Sequence, residues 1–362
     1  MNQTRGTLQE LLARHTAPGE LCSPLEDNAV LCYACGHRCR ILPGREGICK
    51  VRFNEGGTLR VPRGYVAGLA TDPIEKKPFF HVLPGAQALS FGMLGCDYHC
   101  GYCQNWLSSQ TLRDPEAVAG IERISAEAVV EVAVSRRIPV ITSTYNEPLI
   151  TTEWAVEIFR LARRHGIRCS YVSNGNGSPE VLEFLRPWID MFKIDLKSSR
   201  QKNYQQLGGS LQRVLDTIAT LFRMGVWIEV VTLVVPKFND SPEELGEIAG
   251  FLASVSADIP WHVTAFHPDY RMDDRDRTPA QTLLQAAEIG RSKGLRFVYA
   301  GNLPGRTGTL EHTFCPSCGA RLASRRCRGI TPAARKPRSR SSAASGTRSS
   351  APCARPIRSN GW

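Results

Sequence analysis

Between residues 85 and 300 the chain alternates short β-rich runs with amphipathic helical ones, and no other feature narrows the fold as far. Strands are expected near 88–94, 139–144, 168–173, 190–195, 226–235 and 261–266, with a seventh around 295–299. The segments AEAVVEVAV, TEWAVEIFRLARRH and EELGEIAGFLAS repeat apolar residues at the three-to-four-residue spacing of a helix packed on a sheet. Repeated βα units imply a parallel sheet, either doubly wound or curled into a full or partial barrel.

The flanks have a different character. Residues 1–84 read as an amphipathic helix with Leu8, Leu11 and Leu12 on one face, followed by a cysteine-rich segment from Cys22 to Cys49. Residues 301–326 form a short extension containing Cys315-Pro-Ser-Cys318, a strong turn signal and half of a zinc ribbon. From 327 to 362 the chain is Arg, Ser, Pro, Ala and Gly without apolar periodicity, and disorder is expected there. The net charge of +11 belongs mostly to this end: nine Lys or Arg and no acid lie between Arg326 and Trp362. Basicity therefore says little about the βα region. A nucleic-acid-binding protein stabilised by zinc is a distant alternative, because no interleaving of basic and aromatic residues occurs between 85 and 300. No stretch approaches the roughly 20 apolar residues of a bilayer span, and the N-terminus lacks the apolar region of a secretory signal, so a cytoplasmic location is expected.

Thirteen cysteines in such a chain point to metal ligation before disulfides. Directly after the first expected barrel strand comes Cys96-Asp-Tyr-His-Cys100-Gly-Tyr-Cys103, a CxxxCxxC spacing. Three thiolates on one loop can each bind an iron of a [4Fe-4S] cubane, leaving a fourth iron open. An open iron can chelate the amino and carboxylate groups of S-adenosylmethionine and bring its sulfonium to the cluster. Zinc, by contrast, normally takes four ligands in a structural site. The loop falls at the carboxyl end of a strand, where βα barrels place their chemistry.

The chain resembles the radical SAM superfamily, in the branch related to glycyl-radical-enzyme activating enzymes. The resemblance rests on the cysteine loop together with Thr144-Tyr-Asn-Glu-Pro148, Ser173-Asn-Gly175, Asp195-Leu-Lys197, Leu233-Val-Val-Pro236 with Asn239-Asp240, and Phe266-His-Pro268. Over about residues 20 to 325 it is most similar to the AmmeMemoRadiSam-system radical SAM proteins, through CYACGHRCRILPGREGIC, the TYNEP variant and WHVTAFHPDYRM…VYAGN. The resemblance implies an α/β fold, a partial (β/α)6-type TIM barrel with a Cys-rich N-terminal appendage. It implies an enzyme that cleaves S-adenosylmethionine reductively and abstracts hydrogen from a substrate. Its partners would be a flavodoxin- or ferredoxin-type electron donor and either Memo-like and AMMECR-type proteins or a glycyl radical enzyme. Cys96, Cys100 and Cys103 would be the catalytic cluster ligands. Glu147 would accept a hydrogen bond from the methionyl ammonium. Tyr102 would lie against the adenine, and Asn174, Asp195, Lys197 and His267 would complete the cofactor site. Ser173 and Asp195 fall where activases bind a monovalent cation, but Val172 stands where an Asp ligand is expected.

Plainer readings exist for several of these residues. Glu147 is also suited to the start of a helix, Lys197 to a solvated strand end, and His267 to a loop before Pro268. His262 and His99 read as packing or solvent residues, and Cys169 as a buried strand thiol. A second set, Cys32, Cys35, Cys39 and Cys49, puts four thiols in eighteen residues, enough to enclose structural zinc or an auxiliary iron-sulfur centre.

Overall fold

Eight strands make the central sheet: β1 Gly68–Pro73, β2 Gln87–Gly92, β3 Val140–Ser143, β4 Arg168–Ser173, β5 Met191–Asp195, β6 Trp227–Val234, β7 Trp261–Ala265 and β8 Val298–Gly301. The structure, a computed structural model, describes residues 3–326 and 329–332. Strands lie side by side in chain order, β2 to β8 are all parallel, and β1 runs antiparallel along β2. An order without reversal, with the right-handed crossovers that parallel strands favour, puts the helices between β2 and β8 on one face, and the twisted sheet curls into a partial barrel. The C-termini of β2 to β8 then share one mouth.

The helices form where the apolar spacing placed them. Thr152–Arg164 buries Trp154, Ala155, Val156, Ile158, Phe159 and Ala162 on one side, and Trp154 and Phe159 meet Phe91 of β2 edge-on. Fully burying each large apolar side chain contributes about 1.5–3 kcal/mol. Ser125, Ser178 and Ser241 each cap the helix that follows with a side-chain oxygen on its first turn.

The seven expected strands are present. β1 was not expected: GLATDP lacks a β-branched or aromatic run, and it is held by pairing to β2 at the sheet edge rather than by a buried face. The large sheet thus reaches into the segment assigned to the appendage. The remainder of that segment holds the helix Gln3–Ala13 and two three-stranded sheets, Thr16–Pro18/Phe53–Glu55/Thr58–Pro62 and Cys22–Pro24/Val30–Cys32/Arg40–Ile41. It is fastened to the barrel: Gly36 N donates to Asn176 O at 2.7 Å, Arg38 pairs with Glu180 at 2.6 Å, and Arg52 pairs with Glu153 at 2.7 Å.

The opposite end of the barrel is floored by a buried polar cluster. The Glu229 carboxylate of β6 accepts the amides of Phe80 and His81 at 2.9 to 3.0 Å and pairs with His262 Nε2 at 2.7 Å. His262 is therefore buried and satisfied, as a packing residue. Tyr299 OH lies 2.6 Å from His81 Nε2 and 2.9 Å from Thr313 Oγ1, and the Arg325 guanidinium lies 4.0 Å from the centre of the Phe80 ring. This ties the extension after 301 to the floor. Within it, Thr313–Phe314, Arg321–Arg326 and Gly329–Pro332 pair antiparallel, and the turn at Cys315 is closed by Cys315 N on Ala320 O and Gly319 N on Cys315 O. Apart from 329–332, the expectation of disorder over 327–362 lies outside the described residues. Among the described residues no helix is long and apolar enough to cross a membrane.

Candidate active site

The cysteine loop leaves β2 through two glycines that the packing requires. A Cβ at Gly92 would stand 2.5 Å from the Thr144 carbonyl and 2.8 Å from Tyr145 Cβ. Gly95 takes φ +89°, and a Cβ there would stand 2.9 Å from the Cys49 carbonyl. The loop that follows is held inward. Cys96 Sγ accepts from Tyr98 N at 3.4 Å, Cys103 Sγ lies 3.2 Å from Ser109 Oγ, and Cys103 N donates to Cys100 O at 3.2 Å. Burial pushes the Cys100 thiol up to about 12 and raises Cys103; Cys96 is raised by burial and then by the Asp97 and Glu147 carboxylates. The three thiols share one loop but do not close on a common centre, and among the described residues no three His, Cys, Asp or Glu side chains form a metal-holding group. His99 is exposed on the same loop, packed over Gly208.

A chain of buried hydrogen bonds links this loop to the ends of β3 and β4. Asp97, fully buried, accepts Asn174 Nδ2 at 2.7 Å and Asn176 Nδ2 at 2.9 Å. Asn174 N donates to Glu147 Oε2 at 2.7 Å, while Glu147 Oε1 accepts Ser173 Oγ at 2.6 Å and Leu149 N at 3.1 Å. Glu147 therefore also caps the Pro148–Thr151 turn, so the helix-start reading and a place in the site hold together. Its donors are all neutral. Burial pushes its carboxyl up to about 8, with Asp97 adding to the rise.

On β5 and just past its end, the alternation of an extended chain brings Lys193, Asp195 and Lys197 to one side. Asp195 Oδ1 pairs with Lys193 Nζ and Oδ2 with Lys197 Nζ at 3.1 Å. Burial alone would raise the Asp195 carboxyl, but the two ammonium groups outweigh it and hold it down at about 2. Lys197 Nζ also lies 5.9 Å from the centre of the Tyr102 ring, which is buried edge-on to Phe238 with its hydroxyl unpartnered. After β7, His267 accepts Gln104 Nε2 at 3.0 Å on its Nε2, which leaves Nδ1–H to donate to Pro268 O at 3.2 Å. The same segment closes on the cysteine loop through Arg271 N to Gly101 O at 2.9 Å and a stack of Tyr270 on Trp106 at 5.0 Å.

Residues 92–252 match the Radical SAM superfamily. Over 303 residues the chain is 37% identical to an uncharacterized protein of Methanocaldococcus jannaschii, covering 83% of this chain and 89% of that one. The chain belongs to the radical SAM superfamily. It is 24% identical over 179 residues to the pyruvate formate-lyase-activating enzyme of Clostridium pasteurianum, spanning 48% of this chain and 71% of the relative. It is 26% identical over 149 residues to the benzylsuccinate synthase activating enzyme of Thauera aromatica, spanning 37% and 45%. A crystal structure of a radical SAM methyltransferase from Sphaerobacter thermophilus is similar at 14% identity and a TM-score of 0.48, over 66% of this chain and 71% of that one. The chain is accordingly an enzyme with the partial barrel of the family, whose cofactors are a [4Fe-4S] cluster and S-adenosylmethionine.

The residues of the radical SAM mouth fit those cofactors in donor chemistry. The loop offers three thiols, in a spacing that leaves one iron of a cubane without a protein ligand. Two buried carboxylates, Asp97 and Glu147, stand beside it, and Glu147 meets only neutral donors, so a cationic ammonium would complete its surroundings. Reading the sequence missed Asp97, Asn176 and Lys193. Lys193 was accessible, since it precedes Asp195 and Lys197 at the two-residue spacing of one strand face. Asp97 and Asn176 carried no such signal, because their bond joins residues 79 positions apart.

Proposed function

We propose that Cys96, Cys100 and Cys103 hold the [4Fe-4S] cluster, and that Glu147 receives the methionyl ammonium of S-adenosylmethionine at the mouth formed by the ends of β2 to β7. When bound, the cluster supplies the electron that cleaves the sulfonium to a 5′-deoxyadenosyl radical, which takes a hydrogen atom from the substrate. The protein's part is placement. Glu147 is fixed by three donors before any ligand arrives, so its remaining acceptor capacity is preoriented for the ammonium. Asp195, kept ionised by Lys193 and Lys197, offers an acceptor toward the ribose or methionine portion. The carrying observation is the unbroken bridge Cys loop–Asp97–Asn174–Glu147, which makes the thiols and the ammonium acceptor one rigid unit.

The substrate is a hydrogen donor not yet identified. Memo-like and AMMECR-type proteins are the partners that the family resemblance favours, with a flavodoxin- or ferredoxin-type donor of electrons. A second reading, an activase for a glycyl radical enzyme, is favoured by the two relatives named as activating enzymes. Anaerobic protein with a strong reductant should convert S-adenosylmethionine to 5′-deoxyadenosine and methionine, and Cys100→Ala should abolish this. Turnover unchanged in Cys100→Ala would refute the ligand assignment. A glycine-centred radical appearing in a co-purified glycyl radical enzyme would decide for the second reading.

A further inference from the structure

At the β1 edge of the barrel a buried lysine meets a tyrosine inside the lumen, and the chemistry above uses neither. Phe91 of β2 faces the helices through Trp154 and Phe159, so Gly92, Ser90 and Ala88 face the lumen. The antiparallel register sets Gly68, Ala70 and Asp72 of β1 beside them on the same face. Tyr145 follows β3 with φ +72°, a left-handed conformation that an aromatic residue rarely adopts. Its ring lies against the two glycines: Cβ atoms built at Gly92 and Gly68 would stand 3.0 and 3.7 Å from Tyr145 Cδ2. Lys77, just past the turn that follows β1, reaches up to it, with Nζ 3.3 Å from the Tyr145 hydroxyl and 4.8 Å from the ring centre.

The pair is rich in hydrogen-bond donors and in positive charge. Lys77, 5% exposed, gives one N–H to Asp72 Oδ2 at 3.1 Å and one to the Tyr145 hydroxyl, and among the described residues no bond engages the third. Because the hydroxyl accepts from Nζ, its own proton is free to donate, and Tyr145 is half-buried, within reach of a ligand in the mouth. Asp72 is shared: its Oδ1 takes the exposed Lys76 Nζ at 2.7 Å, so two ammonium groups answer to one carboxylate. The register puts Ser90 between the glycines that touch the ring and the Asp72 that holds the ammonium, and its fully buried Oγ has no partner. A buried cation with surplus charge and orphaned donors beside it is stabilised by an anionic acceptor.

We propose that Lys77 and Tyr145 form a substrate subsite of this mouth and hold an anionic oxygen group, a carboxylate or a phosphoryl, of the molecule that gives up hydrogen. This rests on the radical reading above and names the substrate class that the reading leaves open. Lys77 supplies the charge and an N–H, Tyr145 supplies the O–H, and donors 3.3 Å apart can meet two oxygens of one such group. Asp97 and Glu147 stand on the cofactor's side, where the ligand is cationic, so the mouth is polarised between its two ligands. The left-handed turn at Tyr145 lays the ring on the glycines of β1 and β2 while Glu147, two residues on, keeps its bonds to Ser173 and Asn174.

The full-length protein, loaded with its cluster without oxygen, provides the test by equilibrium dialysis against labelled inorganic phosphate and, separately, labelled acetate, at fixed ionic strength and with or without S-adenosylmethionine. Wild type should bind one or both anions saturably at a common site; phosphate alone marks a phosphoryl substrate, and acetate alone a carboxylate. Lys77→Met should weaken that binding roughly 10-fold or more, and Tyr145→Phe by a smaller factor. Asp72→Asn, which removes the competing carboxylate, should tighten it, a gain that a misfolded variant does not give. No saturable binding by wild type, equal binding in Lys77→Met, or binding no tighter in Asp72→Asn would overturn the proposal. So would displacement of the anion by S-adenosylmethionine, which would assign the pair to the cofactor. Formation of 5′-deoxyadenosine by the same wild-type preparation separates the two readings: formed with no anion bound, it refutes this subsite alone; missing with the anion bound, it counts against the radical reading and leaves the anion site standing.

Discussion

Glu147 works structurally before any ligand arrives: it caps the Pro148–Thr151 turn and fixes Ser173 and Asn174. Glu147→Gln keeps the size and one acceptor but removes the charge. A hydrogen bond to a charged group contributes about 1.5–3 kcal/mol, so S-adenosylmethionine should bind the loaded variant roughly 10- to 100-fold more weakly by calorimetry. Unchanged affinity would remove Glu147 from the ligand site. Gly92 tests the geometry rather than the chemistry. In Gly92→Ala the methyl meets backbone at 2.5 Å, so a loss of about 1–3 kcal/mol in denaturant unfolding is expected, with cluster retention falling alongside. At this scale the sequence revealed what chain order encodes: the cysteine spacing and the Glu that follows β3. Asp97 between Asn174 and Asn176, or Arg52 against Glu153, are pairings between residues about 80 to 100 positions apart, which one sequence does not display.

Among the elements, β2 to β8 were legible because buried parallel strands are apolar runs bracketed by amphipathic helices, whereas β1 gains its place only by pairing. The barrel floor was equally hidden, since it is assembled from β6, β7, β8, the segment before β2 and the C-terminal extension. Burial pushes the His81 imidazole down to about 4. Below its ordinary value near 6.5 the unfolded chain binds a proton that the folded chain refuses, so the stability His81 contributes is complete above that pH and is lost as pH falls toward 4. The Tm of wild type should therefore fall more steeply between pH 6.5 and 4 than that of His81→Gln; parallel curves would contradict this. The Arg52–Glu153 pair joins the Cys-rich segment to the helix Thr152–Arg164. Arg52→Ala leaves a buried carboxylate unpaired and should cost about 3–5 kcal/mol in equilibrium unfolding, while Arg52→Met with Glu153→Leu should recover most of it.

In the whole molecule the chemistry is confined to one end of the barrel and the bracing comes from outside it. The Cys-rich segment grips the mouth through Asn176, Glu153 and Gly95, and the extension after 301 closes the floor through Arg325. The central claim is the open coordination position on a cluster held by three thiolates, and electron paramagnetic resonance reads it most directly. Anaerobically loaded, reduced protein should give a [4Fe-4S]+ signal whose g-values and line shape change when S-adenosylmethionine is added. A signal indifferent to that addition, or a loop that holds zinc and gives no iron signal, would contradict the account.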